Sequence, residues 1–382
     1  MSEGRIESSP EVAVRPVFLV DKPVFAFYAS YIRRILVGLT GSANASALVS
    51  HPATDLQAIL CPAVESFVHP ALQLPIFWNQ NRKLLLSQLY RFKPTVLHTF
   101  YPGQIRLAHW LSDQLDVPYV VSCHQRPSRR ICFEKSMSHA AALIAPSEPI
   151  AAGLTAKCPK LKSRTERIHI ASFVADECCC FSREPGVTSL IAVHPFDSFE
   201  LFESFLNAVR HLVLEGHEIM VALMGEGKAE KAIRTHIRKL GLTSIVTVIP
   251  PIRPIRKILS GADIYVHLSD NRRFDAQLLE AMAVGLAVVG SPEQTSGLLY
   301  EDRTAMCWDP TDQMNIYDRL KKVLSARERT RQLALNGQAH LRKYNSVSGM
   351  VDRLMQTYIE AQQWHKQTLK TEKDAPVPQP VQ

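Results

Sequence analysis

Glu280 sits in the segment FDAQLLEAMAVGLAVVG, flanked by Leu278, Leu279, Ala281, Met282 and Ala283. The apolar spacing predicts a helix over Ala276–Val284 that packs on a sheet, ends at Gly285 and feeds a strand, Leu286–Val289. An acid on such a helix, at the carboxyl edge of a parallel sheet, can accept hydrogen bonds from a ligand's hydroxyls. A solvated Glu on an ordinary βα unit has the same local sequence. Gly225 and Gly227 follow an apolar run, and Lys228 comes next. Glycines there let the backbone approach a phosphate, a helix N-terminus adds partial positive charge, and Lys228 can donate to a diphosphate. A tight turn with positive φ explains the same glycines. His124 ends the run YVVSC, where a strand's carboxyl edge lets an imidazole bond a ligand; a satisfied structural His fits equally. His98 is similarly placed one strand earlier, followed by Tyr101 and Gly103. Ser269, Asp270, Arg272, Arg273 and Phe274 precede the Glu280 helix, with Asp275 a further acid nearby.

Strands must hold these residues. The runs PVFLV (16–20), SALVS (46–50), TVLH (95–98), YVVS (119–122), ALIA (142–145) and RIHIA (167–171) read as buried parallel strands, with amphipathic stretches 27–39, 81–92 and 104–115 between them. After a break at 175–188, strands at 189–193, 218–224, 244–250, 263–268, 286–290 and 304–308 alternate with helices at 199–214, 228–240, 252–259 and 276–284. Each series is a βαβ succession and predicts a doubly wound sheet. From Ser325 the pattern is helical. Val347 to about Lys370 is long enough to leave the second domain and pack on the first, and the Pro-rich tail TEKDAPVPQPVQ reads as disordered.

The chain has 382 residues, 46% hydrophobic and 21% charged, the composition of a soluble globular protein with room for two domains. The polar start MSEGRIESSPE lacks the apolar core of a signal peptide, and no long apolar run spans a bilayer, so a cytoplasmic location is expected. A net charge of +8 favours phosphates, nucleic acid or an anionic membrane surface, or serves solubility alone. The basic clusters, Arg126, Arg129, Arg130, Lys135 and Lys157, Lys160, Lys162, Arg164, Arg167, are not interleaved with stacking aromatics, which makes nucleic acid the weaker inference. Eight cysteines show no zinc-type spacing. The triplet Cys178-Cys179-Cys180 reads as reduced thiols in a loop, with metal binding the alternative.

LLEAMAVGLAVVGS resembles the donor-site motif of the retaining glycosyltransferases of family four. There a glutamate, seven residues and a second glutamate are followed by Ala-Met-Ala, a small residue, Gly, a variable position and a Val-Val strand. Glu280 matches the second glutamate, which contacts the ribose of the sugar nucleotide; Gly285 and Val288-Val289 match the glycine and the strand. TVLHTFYPGQIRLAHWLSDQLDVPYVVSCH is similar to the family's strand, helix, strand and terminal His near the reaction centre. VALMGEGKAE resembles its Gly-x-Gly turn, and GADIYVHLSD the strand ending at Ser in the donor pocket. ALIAPSEPIAAGL is similar to the segment before the interdomain crossing, and RIHIASFV to the segment that usually ends in an Asn-Gly-Val turn.

The resemblance covers most of the chain and implies an α/β protein of two facing Rossmann-like domains, the GT-B type. An N-terminal acceptor domain, 1–175, carries a C-terminal helix, 347–370, packed back on it. A nucleotide-sugar donor domain spans 186–346, and a disordered tail 371–382. It implies sugar transfer from a nucleotide-sugar to a sugar, lipid or small-molecule acceptor, with retention of configuration, no metal and no cofactor. The setting would be polysaccharide or cell-envelope biosynthesis, with peripheral contact to an anionic membrane. His124 would be the catalytic residue. Glu280, Gly225, Gly227, Lys228, Ser269, Arg272 and Phe274 would hold the donor, and His98, Tyr101 and Gly103 the acceptor.

The sequence departs from the family at several points. Arg272 stands where the first glutamate belongs; it offers donors only and suits a phosphate or the carboxylate of an acidic sugar. Asp275 could substitute for that glutamate, three positions out of register. DKPVFAF (21–27) has no paired glycines, VHPFDSFE (193–200) lacks the diphosphate-clamping Arg and Lys, and Gln294-Thr295 and Gly297-Leu298 replace Gly-Gly and Pro-Glu. These changes support a second reading, a catalytically degenerate relative serving as a binding or scaffolding module. Intact LLEAMAVG, GEG and VVSCH favour the enzyme. A phosphorylase-like reading lacks a cofactor-lysine motif.

Overall fold

A computed structural model describes residues 13–42, 45–51, 61, 64–68, 78–101, 103–127, 135–183, 186–269, 272–292 and 295–373. The chain divides into two compact units. The first runs to Ala145 and takes in Ala151–Ile168 and the chain from Val351; the second holds Pro146–Ile150 and His169–Met350.

The first unit is built on a parallel sheet of β1 Pro16–Val20, β2 Ser46–Ser50, β3 Val64–Val68, β4 Val96–Tyr101, β5 Tyr119–Cys123, β6 Ala142–Ala145 and β7 Thr165–Arg167. Strands β1, β2, β4, β5 and β6 are buried along their whole length, because helices cover both faces of a parallel sheet. Those helices are α1 Lys22–Leu39, α2 Trp78–Phe92, α3 Ile105–Leu115, the short α4 Lys135–Ser138, and α5 Glu148–Lys157. The strand order β3-β2-β1-β4-β5-β6-β7 reverses direction between β1 and β4, where a doubly wound sheet opens a ligand crevice at its carboxyl edge. Asp21 follows β1 there and caps α1, its Oδ1 accepting from Val24 N at 2.9 Å. Helix α1 leaves helical geometry at Tyr28.

The second unit repeats the plan with β8 Thr188–Val193, β9 Ile219–Met224, β10 Val246–Ile249, β11 Ile264–His267, β12 Ala287–Gly290 and β13 Met306–Cys307, in the order β10-β9-β8-β11-β12-β13. Its reversal lies between β8 and β11. Helices α6 Glu200–Leu214, α7 Glu230–Lys239, α8 Ile255–Leu259, α9 Ala276–Ala283, α10 Gln313–Ser325 and α11 Arg327–Tyr344 complete it. Phe202, Phe205, Leu206 and Val209 of α6 share a core with Leu190, Val221, Leu223, Ile264, Val266, Leu320 and Val323. Helix α9 has a defined start and stop. Asp275 caps it, and it ends in a Schellman motif, Gly285 N donating to Met282 O and Leu286 N to Ala281 O, with Gly285 at φ +80°.

The last helix, α12 Val347–Lys373, belongs from Val351 to the first unit. Tyr358 Oη lies 2.7 Å from His98 Nδ1, the Arg164 guanidinium stands 4.5 Å over the Trp364 ring, and Arg353 pairs with Glu166 at 3.1 Å. A C-terminal helix packed on the N-terminal domain is thus present. It runs to Lys373, past the expected 370; the rest of the tail lies outside the described residues.

Some expectations need correction. RIHIA is not a strand as a whole: β7 ends at Arg167, beyond which Ile168 N still donates to Ala145 O. Strand β3 was not foreseen. The supposed linker from Ala175 is part of the second unit, because Ala175 N, Cys179 N and Cys180 N donate to Ala283 O, Val284 O and Gly285 O. The cysteine triplet is free thiols in a loop, but Cys178 and Cys180 are buried in the core. No helix among the described residues is long and apolar enough to cross a membrane.

Candidate functional site

In the second unit the carboxyl edge presents the β8 loop, the β9 turn and the start of α9. The β9 turn contains Gly225 and Gly227, and both are dictated by packing. A β-carbon on Gly225 would lie 2.1 Å from the His194 carbonyl oxygen, and one on Gly227, at φ +154°, would lie 2.5 Å from that of Phe196. Phe196 N donates to Glu226 O at 3.0 Å and Ala229 N to Phe196 O at 2.8 Å, so the two loops are zipped together. Glu226, Gly227 and Lys228 are exposed, and α7 starts without a side-chain cap. Lys228 lies near Glu200, whose carboxyl is held below its usual range mainly by the Ser198 hydroxyl and further by Lys228.

Glu280 is not a solvated surface acid. It is 2% exposed, with Arg256 Nη1 of α8 3.9 Å from its Oε2. Burying a carboxylate requires a compensating cation or donors, and Arg256 is that cation. Ser269 is half-buried and Arg272 exposed. Phe274, expected to touch the donor, is 2% exposed with its ring in the core; burial leaves only the backbone there to face a ligand. Arg273 Nη2 reaches to 4.0 Å from Asp197 Oδ2, bridging the loops after β11 and β8 at the strand-order reversal.

Asp275 does not replace the missing first glutamate. Its Oδ1 accepts from Gln277 N at 2.8 Å and Leu278 N at 3.1 Å, and its Oδ2 faces Tyr265 Oη at 3.4 Å and His267 Nδ1 at 3.2 Å. Oδ1 is thus committed to the helix start and Oδ2 faces the side chains of β11. Burial opposes its charge, but His267, the Leu278 N–H and His194 outweigh that and hold the carboxyl below its usual range.

In the first unit, His98 is a core residue, contrary to the expected acceptor role. It is fully buried, its Nδ1 2.7 Å from Tyr358 Oη and its Nε2 2.7 Å from Ser122 Oγ, and it stacks on Phe100. Both nitrogens are spent internally. Burial, with the neighbouring His124, pushes its pKa down to about 3. His124 is 4% exposed and caged by Tyr28 at 4.5 Å, Tyr31 at 5.0 Å and Phe100 at 5.8 Å between ring centroids. The Tyr28 hydroxyl donates to its carbonyl oxygen at 3.4 Å, which ties the irregular turn of α1 to the end of β5. Burial lowers the His124 pKa to about 3 as well, so at neutral pH it acts as a neutral donor and acceptor. Tyr101 is buried at the end of β4. Gly103 lies against Asp21 across the reversal of strand order, a β-carbon there falling 2.5 Å from Asp21 Oδ2. Asp21 is raised above its usual range by burial, opposed by the Val24 N–H.

Sequence reasoning missed Asp21, Asp197, Arg256 and His267. Asp21 had a signal, an acid before Lys-Pro at a helix start. The others depend on which loops the strand order brings together. Among the described residues no cluster of three or more His, Cys, Asp or Glu side chains could hold a metal.

Residues 30–170 match the model of Glycosyltransferase Family 4 and residues 192–326 that of Glycosyl transferases group 1, together more than half of the chain. No curated protein matches the sequence. Among solved structures, a glycosyltransferase from Rickettsia africae superposes with a TM-score of 0.76 at 12% identity, covering 92% of this chain and 99% of that one. Anabaena Alr3699/HepE in complex with UDP and glucose gives 0.72 at 14% identity over 90% and 99%. Sucrose-phosphate synthase from Thermosynechococcus elongatus gives 0.68 at 14% over 94% and 100%. Two Rossmann-like units and matches in both halves lead to one conclusion: the chain is a GT-B glycosyltransferase of family four, group one.

Proposed function

We propose that this enzyme transfers a sugar from a UDP-sugar to a hydroxyl acceptor with retention of configuration. The observation that carries the reading is Glu280, a buried carboxylate on the helix that starts at the strand-order reversal of the second unit, paired with Arg256. In this reading the ribose hydroxyls donate to Glu280, and the exposed Gly227–Lys228 turn meets the diphosphate. Arg272, exposed in the loop before α9, adds positive charge beside the phosphates or an acidic sugar. Anabaena Alr3699/HepE, of like fold, was solved with UDP and with UDP-glucose, which supports uridine as the base.

The acceptor sits at the carboxyl edge of the first unit, near Asp21, Tyr101 and Gly103. His124, kept neutral by burial, holds the transferring sugar without adding charge to an oxocarbenium-like transition state. The leaving diphosphate breaks away and the acceptor attacks from the same face, so the protein's task is to stabilise the diphosphate and exclude water. Exposed Lys157, Lys160, Lys162 and Arg167 of the first unit suit a lipid-linked acceptor presented at an anionic surface.

The test is nucleotide release from UDP-, GDP- and ADP-sugars, with and without simple acceptors, and NMR of the product anomer. UDP release that is lost in Glu280→Ala, with retained configuration, supports the reading. Release from no donor, or equal release in the variant, overturns it.

A further inference from the structure

A phosphate group binds well where a helix starts at the carboxyl edge of a parallel sheet beside a reversal of strand order, because unpaired N–H groups and the helix dipole converge there. Helix α9 starts at such a place, directly after β11 and next to β8. The N–H groups of Gln277 and Leu278 are nevertheless already bonded to Asp275 Oδ1, at 2.8 and 3.1 Å. We propose that Asp275 is an internal anion that occupies the phosphate position at the start of α9 and thereby weakens the grip of this enzyme on its donor's diphosphate. The proposal rests on the donor-site reading above.

A second residue, beneath the helix start, indicates that the carboxylate is more than a cap. His267 ends β11 and is 1% exposed. Its Nδ1 lies 3.2 Å from Asp275 Oδ2, outside hydrogen-bond alignment, and its Nε2 has no partner among the described residues. A buried imidazole without hydrogen bonds is costly, and an ordinary N-cap does not need one. Here it faces an anion, as a buried donor under a phosphate site would, and the anion is the protein's own. Tyr265, on the same face of β11, turns its hydroxyl to the same oxygen at 3.4 Å.

The spacing fits a competition with the donor. Glu280 comes five positions after Asp275, about 7.5 Å along a helix axis, so a nucleotide whose ribose meets Glu280 brings its phosphates within a few ångströms of the Asp275 charge. That charge is kept on at neutral pH by His267, the Leu278 N–H and His194 against the opposing effect of burial. With α9 closed, phosphate contact falls to the exposed turn at Gly227 and Lys228, before α7, which has no side-chain cap of its own.

The experiment compares UDP and uridine binding by calorimetry in the full-length wild type, Asp275→Asn, Asp275→Ser and Glu280→Ala. Asn and Ser both retain an N-cap while removing the charge, and two variants guard against one that fails to fold. The proposal predicts that both bind UDP roughly tenfold more tightly than the wild type, a change typical of one partly buried charge at a helix end, with uridine affinity unchanged. Tighter binding of UDP and uridine alike contradicts it, because the effect would not be read through phosphate. Equal or weaker UDP binding in both variants, with Glu280→Ala still losing UDP, overturns the plug and leaves the donor reading standing. No UDP binding by wild type or either variant sinks both.

Discussion

Gly285 and Cys178 are in contact: a β-carbon on the glycine would stand 2.8 Å from the cysteine's Cα and 2.9 Å from Gln338 Nε2. The glycine that ends the Glu280 helix is therefore required twice, by its left-handed φ of +80° and by the strand of chain that crosses it. Gly285→Ala should cost about 2–4 kcal/mol, from left-handed backbone strain plus overpacking. Urea denaturation measures it, and a loss below about 1 kcal/mol would show that Cys178 moves aside freely.

The crossing segment is itself held from α11. Gln338 Nε2 donates to Ala175 O and Glu177 O, both at 3.1 Å, and Arg331 donates to Cys178 O and Cys180 O. Burial raises the thiol pKa of Cys178 and pushes that of Cys180 up to about 12, so neither forms thiolate near neutrality. In a disulfide-exchange titration at pH 8, both should stay protected in the native enzyme and become reactive in Gln338→Ala. Equal reactivity in the two proteins would mean the segment opens without that side chain.

Acid should unfold the first unit early. His98 and His124 titrate at about 3 in the fold, mainly because both are buried, against 6.5 for an unburied His. The unfolded chain therefore takes up both protons first, so stability is full above about pH 6.5 and declines as pH falls toward 3. With two protons in play the slope approaches ~2.7 kcal/mol per pH unit. Denaturation at pH 7, 6 and 5 should show the decline, and His124→Phe should roughly halve the slope. Stability that is flat from pH 7 to 5 would contradict the buried, neutral pair.

Much of the fold was readable because its signals are local. Val288-Val289 and PVFLV are continuous apolar runs because both faces of their sheets are covered, and Gly285 ends its helix by a rule written in adjacent residues. Strand β3, VESFV, escaped because Glu65 and Ser66 interrupt the run at an exposed sheet edge. RIHIA reads as a strand because Ile168 and Ile170 are buried, although β7 ends at Arg167. The candidate site was less legible. His98 looked like a ligand-facing imidazole, yet its partners Ser122 and Tyr358 lie 24 and 260 residues away. Arg256 beside Glu280 and Asp197 beside Arg273 meet only because the helices and loops of one unit converge, which spacing along the chain does not encode.

In the proposed donor site Glu280 holds the ribose of a uridine nucleotide. Calorimetric titration of UDP into the wild type and Glu280→Ala measures that contact. A saturable isotherm is expected for the wild type and an affinity at least tenfold weaker in the variant, the loss of a hydrogen-bonded buried charge being worth roughly 1.5–3 kcal/mol. An unchanged isotherm in a folded Glu280→Ala protein would contradict it.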